Sequence, residues 1–260
     1  MILSRWTKVL AGAMLAGSFL VAQTANPKQP KLKSKAEQEA VMAIFQAQNL
    51  DARLQAANNL ITKFADTDFK ATAFYISAET YSAKGDLDNA VAYAERCLEA
   101  DPQFYGASLL VARVLAQRTR EFDLDKEEKL GRAEKLAKTA MEQIAIAPKP
   151  RPDLPDEQWA QAKKDFEAQA HEVLGMTASV RKKYEDAAAE FKKATELSAQ
   201  QDPALYVRLG GTYSSLGKYD DAIAAFDKAL ADPNASPQVK KIATDEKIKA
   251  TQKKGAAAKQ

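Results

Sequence analysis

Slid against itself by 35 residues, the C-terminal half of this 260-residue chain brings like onto like. Leu174 and Gly175 fall on Leu209 and Gly210, Tyr184, Asp186 and Ala187 on Tyr219, Asp221 and Ala222, and Phe191 and Ala194 on Phe226 and Ala229. The retained residues are large apolar ones or very small ones, the types that pack, while the polar positions between them drift. Self-similarity at this period means one supersecondary unit that recurs and needs neighbours, because a single unit cannot bury its apolar face alone. Runs of β-branched residues are scarce and strong helix formers abundant, so the unit is built of helices.

The spacing resembles the tetratricopeptide repeat. Its pattern runs large–x2–Leu–Gly–x2–Tyr, then Ala–x3–Phe, Ala and Pro. The last copy reads Tyr206, Leu209, Gly210, Tyr213, Gly217, Tyr219, Ala222, Phe226, Ala229 and Pro233. The preceding copy reads His171, Leu174, Gly175, Tyr184, Ala187, Phe191 and Ala194, with Ala178 where Tyr is usual and Lys182 where the inter-helix Gly is usual. A third copy lies upstream: Phe74, Ala78, Tyr81, Gly85, Leu87, Ala90, Cys97 and Pro102. The resemblance implies an all-α chain, a right-handed superhelical solenoid of antiparallel helix pairs with about 10–11 helices. Within each pair Gly175, Gly210 and Ala78 let the first helix approach the second, and Ala187, Ala222 and Ala90 do the same from the other side. Tyr213, Phe226 and Tyr81 are expected to fill the space between units. Gly85 and Gly217 end the first helix in the left-handed conformation that glycine adopts cheaply. Asp202-Pro203 opens a helix with a cap and a first-turn proline, and Asp101-Pro102 is read as able to open another in the same way.

The remaining chain divides around these copies. Residues 1–25 read as a secretory signal: Arg5 and Lys8 precede the apolar run Val9–Ala22, which is too short to span a bilayer as a helix. Residues 26–35 form a basic linker with four Lys and no acid. An N-terminal block covers 36–147, with its clear repeat near 71–102, weaker helices at 36–48 and 51–64, and a lengthened loop around Thr119–Glu127. Four prolines make 148–155 a linker, since none fits a helix interior. The C-terminal block, 156–236, holds the two clearest repeats and starts with a long helix from Glu157 to Lys183. In 237–260 a polar capping helix to about Gln252 passes into a basic disordered tail, with seven Lys against Asp245 and Glu246. The expected location is export to the periplasm or beyond, with an uncleaved N-terminal membrane anchor as the alternative.

Charge and residue chemistry then limit the function. The net charge is +3, but the positive charge gathers at the two ends and leaves an acidic body, which argues against a nucleic-acid partner. Membrane contact is expected only through the signal segment or the basic tail. His171 is the only histidine and Cys97 the only cysteine, both in packing slots of their repeats. One thiol makes no intramolecular disulfide, and these two residues in different units make no metal site. No phosphate-binding Gly-rich loop, nucleophile elbow or zinc-helix motif occurs. No catalytic residue, metal or other cofactor is therefore expected.

The resemblance instead places function on the inner face of the first helices. Carried across, the inward positions are Tyr75, Glu79, Leu109, Arg113, Glu172, Met176 and Val207. A lining that mixes aromatic, apolar and charged groups suits an extended peptide or a helix of a protein partner. Members that clamp the C-terminal carboxylate of cytosolic heat-shock chaperones place Lys and Asn at two such positions. Here those pairs are Tyr75 and Glu79, Glu172 and Met176, and Val207 and Gly211, so that clamp is not expected. The expected function is a non-catalytic interaction scaffold of the bacterial envelope. The alternative is an envelope-tethered structural protein, attached through its basic ends to anionic lipid or cell-wall polymer.

Overall fold

The computed structural model describes residues 23–28, 30–200 and 202–257, so the segment read as a signal lies largely outside the described residues. Among these residues the chain is all-helical, a solenoid-class fold of consecutively packed helices with no strand. The helices are α1 (Lys35–Gln46), α2 (Leu50–Lys63), α3 (Lys70–Ala83), α4 (Leu87–Ala100), α5 (Tyr105–Arg118), α6 (Lys126–Ile146), α7 (Asp156–Val180), α8 (Tyr184–Leu197), α9 (Pro203–Ser215), α10 (Tyr219–Ala231) and α11 (Pro237–Ala257). None of them is long and apolar enough to cross a membrane. They form two compact units: the chain up to Val114 with Lys138–Trp159, and Leu115–Ala137 with Ala160 onward.

In the first unit, Val41 and Ile44 of α1, Ala57 and Leu60 of α2, and Ala73 and Ile76 of α3 form one apolar core with Phe69. Helix starts follow local chemistry: the Ser34, Asn49 and Asp86 side chains accept from the backbone N–H groups of Glu37, Ala52 and Asn89. The Glu37 carboxylate is itself buried. It accepts from the Thr67 hydroxyl at 2.6 Å and from the Lys33 backbone N–H at 2.5 Å. The expected helix opening at Asp101-Pro102 is not used. Asp101 instead closes α4, its carboxylate accepts from the Gln103 N–H at 3.0 Å and from the Thr24 hydroxyl at 2.6 Å, and α5 starts only at Tyr105. The proline-rich stretch between α6 and α7 is non-helical, as ring geometry requires.

In the second unit the small residues of the repeat do what their spacing implied. A Cβ added to Gly175 would lie 2.6 Å from the Phe191 ring, and one added to Gly210 would lie 2.6 Å from the Phe226 ring. Only a residue without a side chain lets α7 meet α8, and α9 meet α10, this closely. Phe226, Tyr206, Ala222 and Ala229 continue into Ala243 and Ala250 of α11, which closes this end of the unit. Helix α11 runs to Ala257, past the expected end near Gln252, and Lys247 pairs with Asp227 at 2.5 Å. Lys254 pairs with Asp220 as well. Tyr81 and Tyr213 are only half-buried, in contrast to Phe226.

Three inter-helix turns share one hydrogen-bond pattern. The N–H groups of Asp86, Lys183 and Lys218 donate to the carbonyls of Tyr81, Ala178 and Tyr213. Gly85 and Gly217 sit there at φ +78° and +72°, and Lys182 at +60°. Lys182 occupies the register of Gly217, so the repeat imposes a left-handed backbone on a residue that adopts it at a cost of roughly 1–2 kcal/mol. Its ammonium reaches Glu121 at 2.5 Å.

Candidate functional site

In the first unit, α3 brings Tyr75 and Glu79 onto one face, and α5 does the same for Leu109 and Arg113, each pair one turn apart. Tyr75 is 4% exposed, its ring 4.8 Å from that of Phe104, and its hydroxyl donates to Glu79 at 3.1 Å. Burial pushes the Tyr75 phenol well above its usual range, Glu79 adds to the rise, and Arg113 opposes it. Leu109 is buried too, whereas Glu79 and Arg113 remain half-exposed. What this face offers a guest is therefore a carboxylate and a guanidinium over a filled apolar floor.

In the second unit, Glu172 of α7 accepts from Arg208 of α9 at 2.8 Å. Val207 is half-buried against the cluster that α11 completes. Met176 lines a cleft of about 380 Å³ together with Ser179, Arg208, Gly211, Ser215 and Arg120. The floor is low because Gly211, Ser179 and Ser215 carry little side chain, and nothing lies within 4 Å of a Cβ built on Gly211. Arg120, from the long loop after α5, was missed from sequence because that loop has no counterpart in the repeat. Arg208 was missed because it neighbours an inward position without being one. On the same loop, Phe122 and Leu124 are fully exposed.

The groups with reactive chemistry are occupied elsewhere. His171 is buried, with Nδ1 2.5 Å from the Glu190 carboxylate, a partner its packing slot did not announce. Burial pushes the Cys97 thiol well above its ordinary range, and Asp101 adds to the effect. Among the described residues, no three His, Cys, Asp or Glu side chains converge as metal ligands.

Two segments match family models described as tetratricopeptide repeats, residues 71–104 and residues 181–245. Two solved structures are similar in fold. A thermophilic protein of the same repeat class from Thermus thermophilus is 18% identical with a TM-score of 0.55, over 82% of this chain and 99% of that one. The MamA RS-1 ArsTM double mutant is 16% identical with a TM-score of 0.53, over 76% and 95% respectively. No curated protein matches the chain.

Proposed function

For this chain, a tetratricopeptide-repeat protein, we propose the role of a non-catalytic scaffold of the bacterial cell envelope that holds a peptide or helix of a protein partner. Repeats of this kind serve protein–protein interaction. The observation that carries the finer reading is the cleft of the second unit, where Met176 offers an apolar contact beside Arg208 and Arg120 over a glycine and serine floor. Such a lining admits one apolar side chain and a neighbouring polar or acidic group. The envelope assignment is supported by the Arg5, Lys8 and Val9–Ala22 pattern alone.

Gly211→Leu is expected to fill the cleft without disturbing the core, since its Cβ direction is open. In a pull-down from envelope extract, this variant should recover at least tenfold less partner than wild type, with a melting temperature no lower than that of wild type. Equal recovery would remove the cleft from the binding surface. A second reading, electrostatic attachment through the basic ends, is favoured by Lys241, Lys249 and Lys253, exposed on α11. Salt separates the two, because raised ionic strength releases electrostatic attachment and leaves apolar groove binding in place.

A further inference from the structure

The lysine-rich segment between the apolar run and α1 is not a free linker. Its pairing begins at Gln23, inside the stretch read as a signal, so a signal that ends at Ala22 leaves the whole segment on the chain. Residues 23–28 and 30–34 run without helix along the first unit and are paired to it along their length. Gly106 N–H donates to the Gln23 carbonyl at 3.2 Å, and Ala25 N–H donates to the Gln103 carbonyl at 3.0 Å. The Thr24 hydroxyl donates to Asp101 at 2.6 Å, and the Lys31 N–H to Asp68 at 3.2 Å. Lys33 pairs with Asp66 at 3.0 Å and Asp68 at 3.8 Å, and Lys28 reaches Asp68 at 4.0 Å. The hydrogen bond from Lys33 holds Asp66 below the usual carboxylate range. Gln23 and Ala25 are only 8% and 5% exposed.

The surface that receives this strap is shaped for it. A Cβ on Gly106 would come within 2.8 Å of Gln23 Cβ and closer still to its amide oxygen, so glycine at this position leaves the room that the Gln23 side chain fills against α5. Yet the strap does not fill its seat. A cleft of about 650 Å³ remains between Asn26, Lys28 and Pro30 on one side and Phe74 on the other, lined as well by Asp68, Glu99 and Asp101 and by the cations Lys70 and Arg96. Thr72 and Gly106 each lie one helical turn before the inward pairs Tyr75–Glu79 and Leu109–Arg113, on the same helix faces. The strap therefore crosses the mouth of that inner face.

We propose that this cleft, with Asp66, Asp68 and Asp101 beside it, is a docking site for an extended, lysine-bearing peptide segment, which residues 23–28 and 30–34 occupy in the resting chain and a partner's segment takes over. Recognition combines two backbone hydrogen bonds at Gln103 and Gly106, a hydroxyl at Asp101, and ammonium groups at Asp66 and Asp68. The unfilled volume lets a segment with bulkier side chains bind better than the strap does. Tethering gives the strap a local concentration of roughly millimolar, so a competing segment must bind more tightly than its bare contacts would require.

The test uses the full chain and a fluorescently labelled peptide of residues 23–34. Lys28→Glu with Lys33→Glu detaches the strap and leaves its seat intact, whereas Gly106→Ala blocks the seat itself. By fluorescence anisotropy the detached variant should bind the peptide at least tenfold more tightly than wild type. Adding Gly106→Ala should abolish binding, and alanine is the better helix former, so the melting temperature should not fall. Should it fall, Asp68→Asn in the detached variant provides the same comparison, with at least threefold weaker binding expected. No binding by the detached variant, equal binding by wild type, or binding indifferent to both seat substitutions would each overturn the proposal. None of these outcomes bears on the Gly211 cleft, which lies in the other unit.

Discussion

Phe226→Ala is expected to lower the unfolding free energy by about 3–5 kcal/mol, the range for deleting a fully buried aromatic side chain. Phe226 is fully buried against Tyr206, Ala222, Ala229 and Ala243, and its ring lies over the bare backbone of Gly210. Ala222, Ala229 and Ala243 among these neighbours are too short to reach across the resulting cavity. Because Phe226 contributes to the packing of α9, α10 and α11 at once, the loss should appear as a lower urea midpoint in far-UV circular dichroism. A change under about 1 kcal/mol would mean that the helices slide together to close the cavity, which the packing described above does not allow.

Gly210→Ala and Gly211→Ala are expected to have opposite signs, although they are adjacent in one helix. In general, glycine to alanine in a helix interior gains roughly 0.5–1 kcal/mol. Gly211 should show that gain, since its Cβ direction is empty. At Gly210 the new methyl would lie 2.6 Å from the Phe226 ring, a flat and fully packed group that cannot rotate aside. Overpacking there is expected to cost about 1–3 kcal/mol and to reverse the sign. Gly175→Ala, against Phe191, should follow Gly210. Parallel denaturant titrations of the three variants check the ordering, and a stabilised Gly210→Ala would show that α9 does not approach α10 through this residue.

These two results concern what was most legible in the sequence. A packing position must be large or small in every copy, so the 35-residue offset exposed Gly175, Gly210, Phe191 and Phe226 directly. The turn at Lys182 was not legible: residue type carries the helix on to Lys183, whereas α7 stops at Val180 and Lys182 takes the left-handed backbone that the same register gives Gly217. Contacts between distant residues left no such trace. Lysines in a Pro- and Gln-containing segment ordinarily mean solvation, and the acids that receive them, Asp66 and Asp68, are far along the chain, as is Asp101, which accepts from Thr24. The Glu172–Arg208 pair joins two helices whose spacing fixes the position of each side chain but not its partner. Asp101-Pro102 reads like Asp202-Pro203, yet only the second opens a helix. Both carboxylates accept from the N–H two residues on, Gln103 and Ala204, but that of Asp101 also accepts from the Thr24 hydroxyl. The positions carried over as contact positions could be read only as helix register, whereas their exposure depends on Phe104 over Tyr75 and on the absence of a side chain at Gly211.

The proposal that a partner rests in the inner cleft of the second unit is tested most directly by a photo-crosslinking residue placed at Gly211 in living cells. The control position is Ala224, exposed on α10. A discrete protein adduct from position 211 and none from position 224 is the expected result. Adducts from 224 with none from 211 would contradict the assignment.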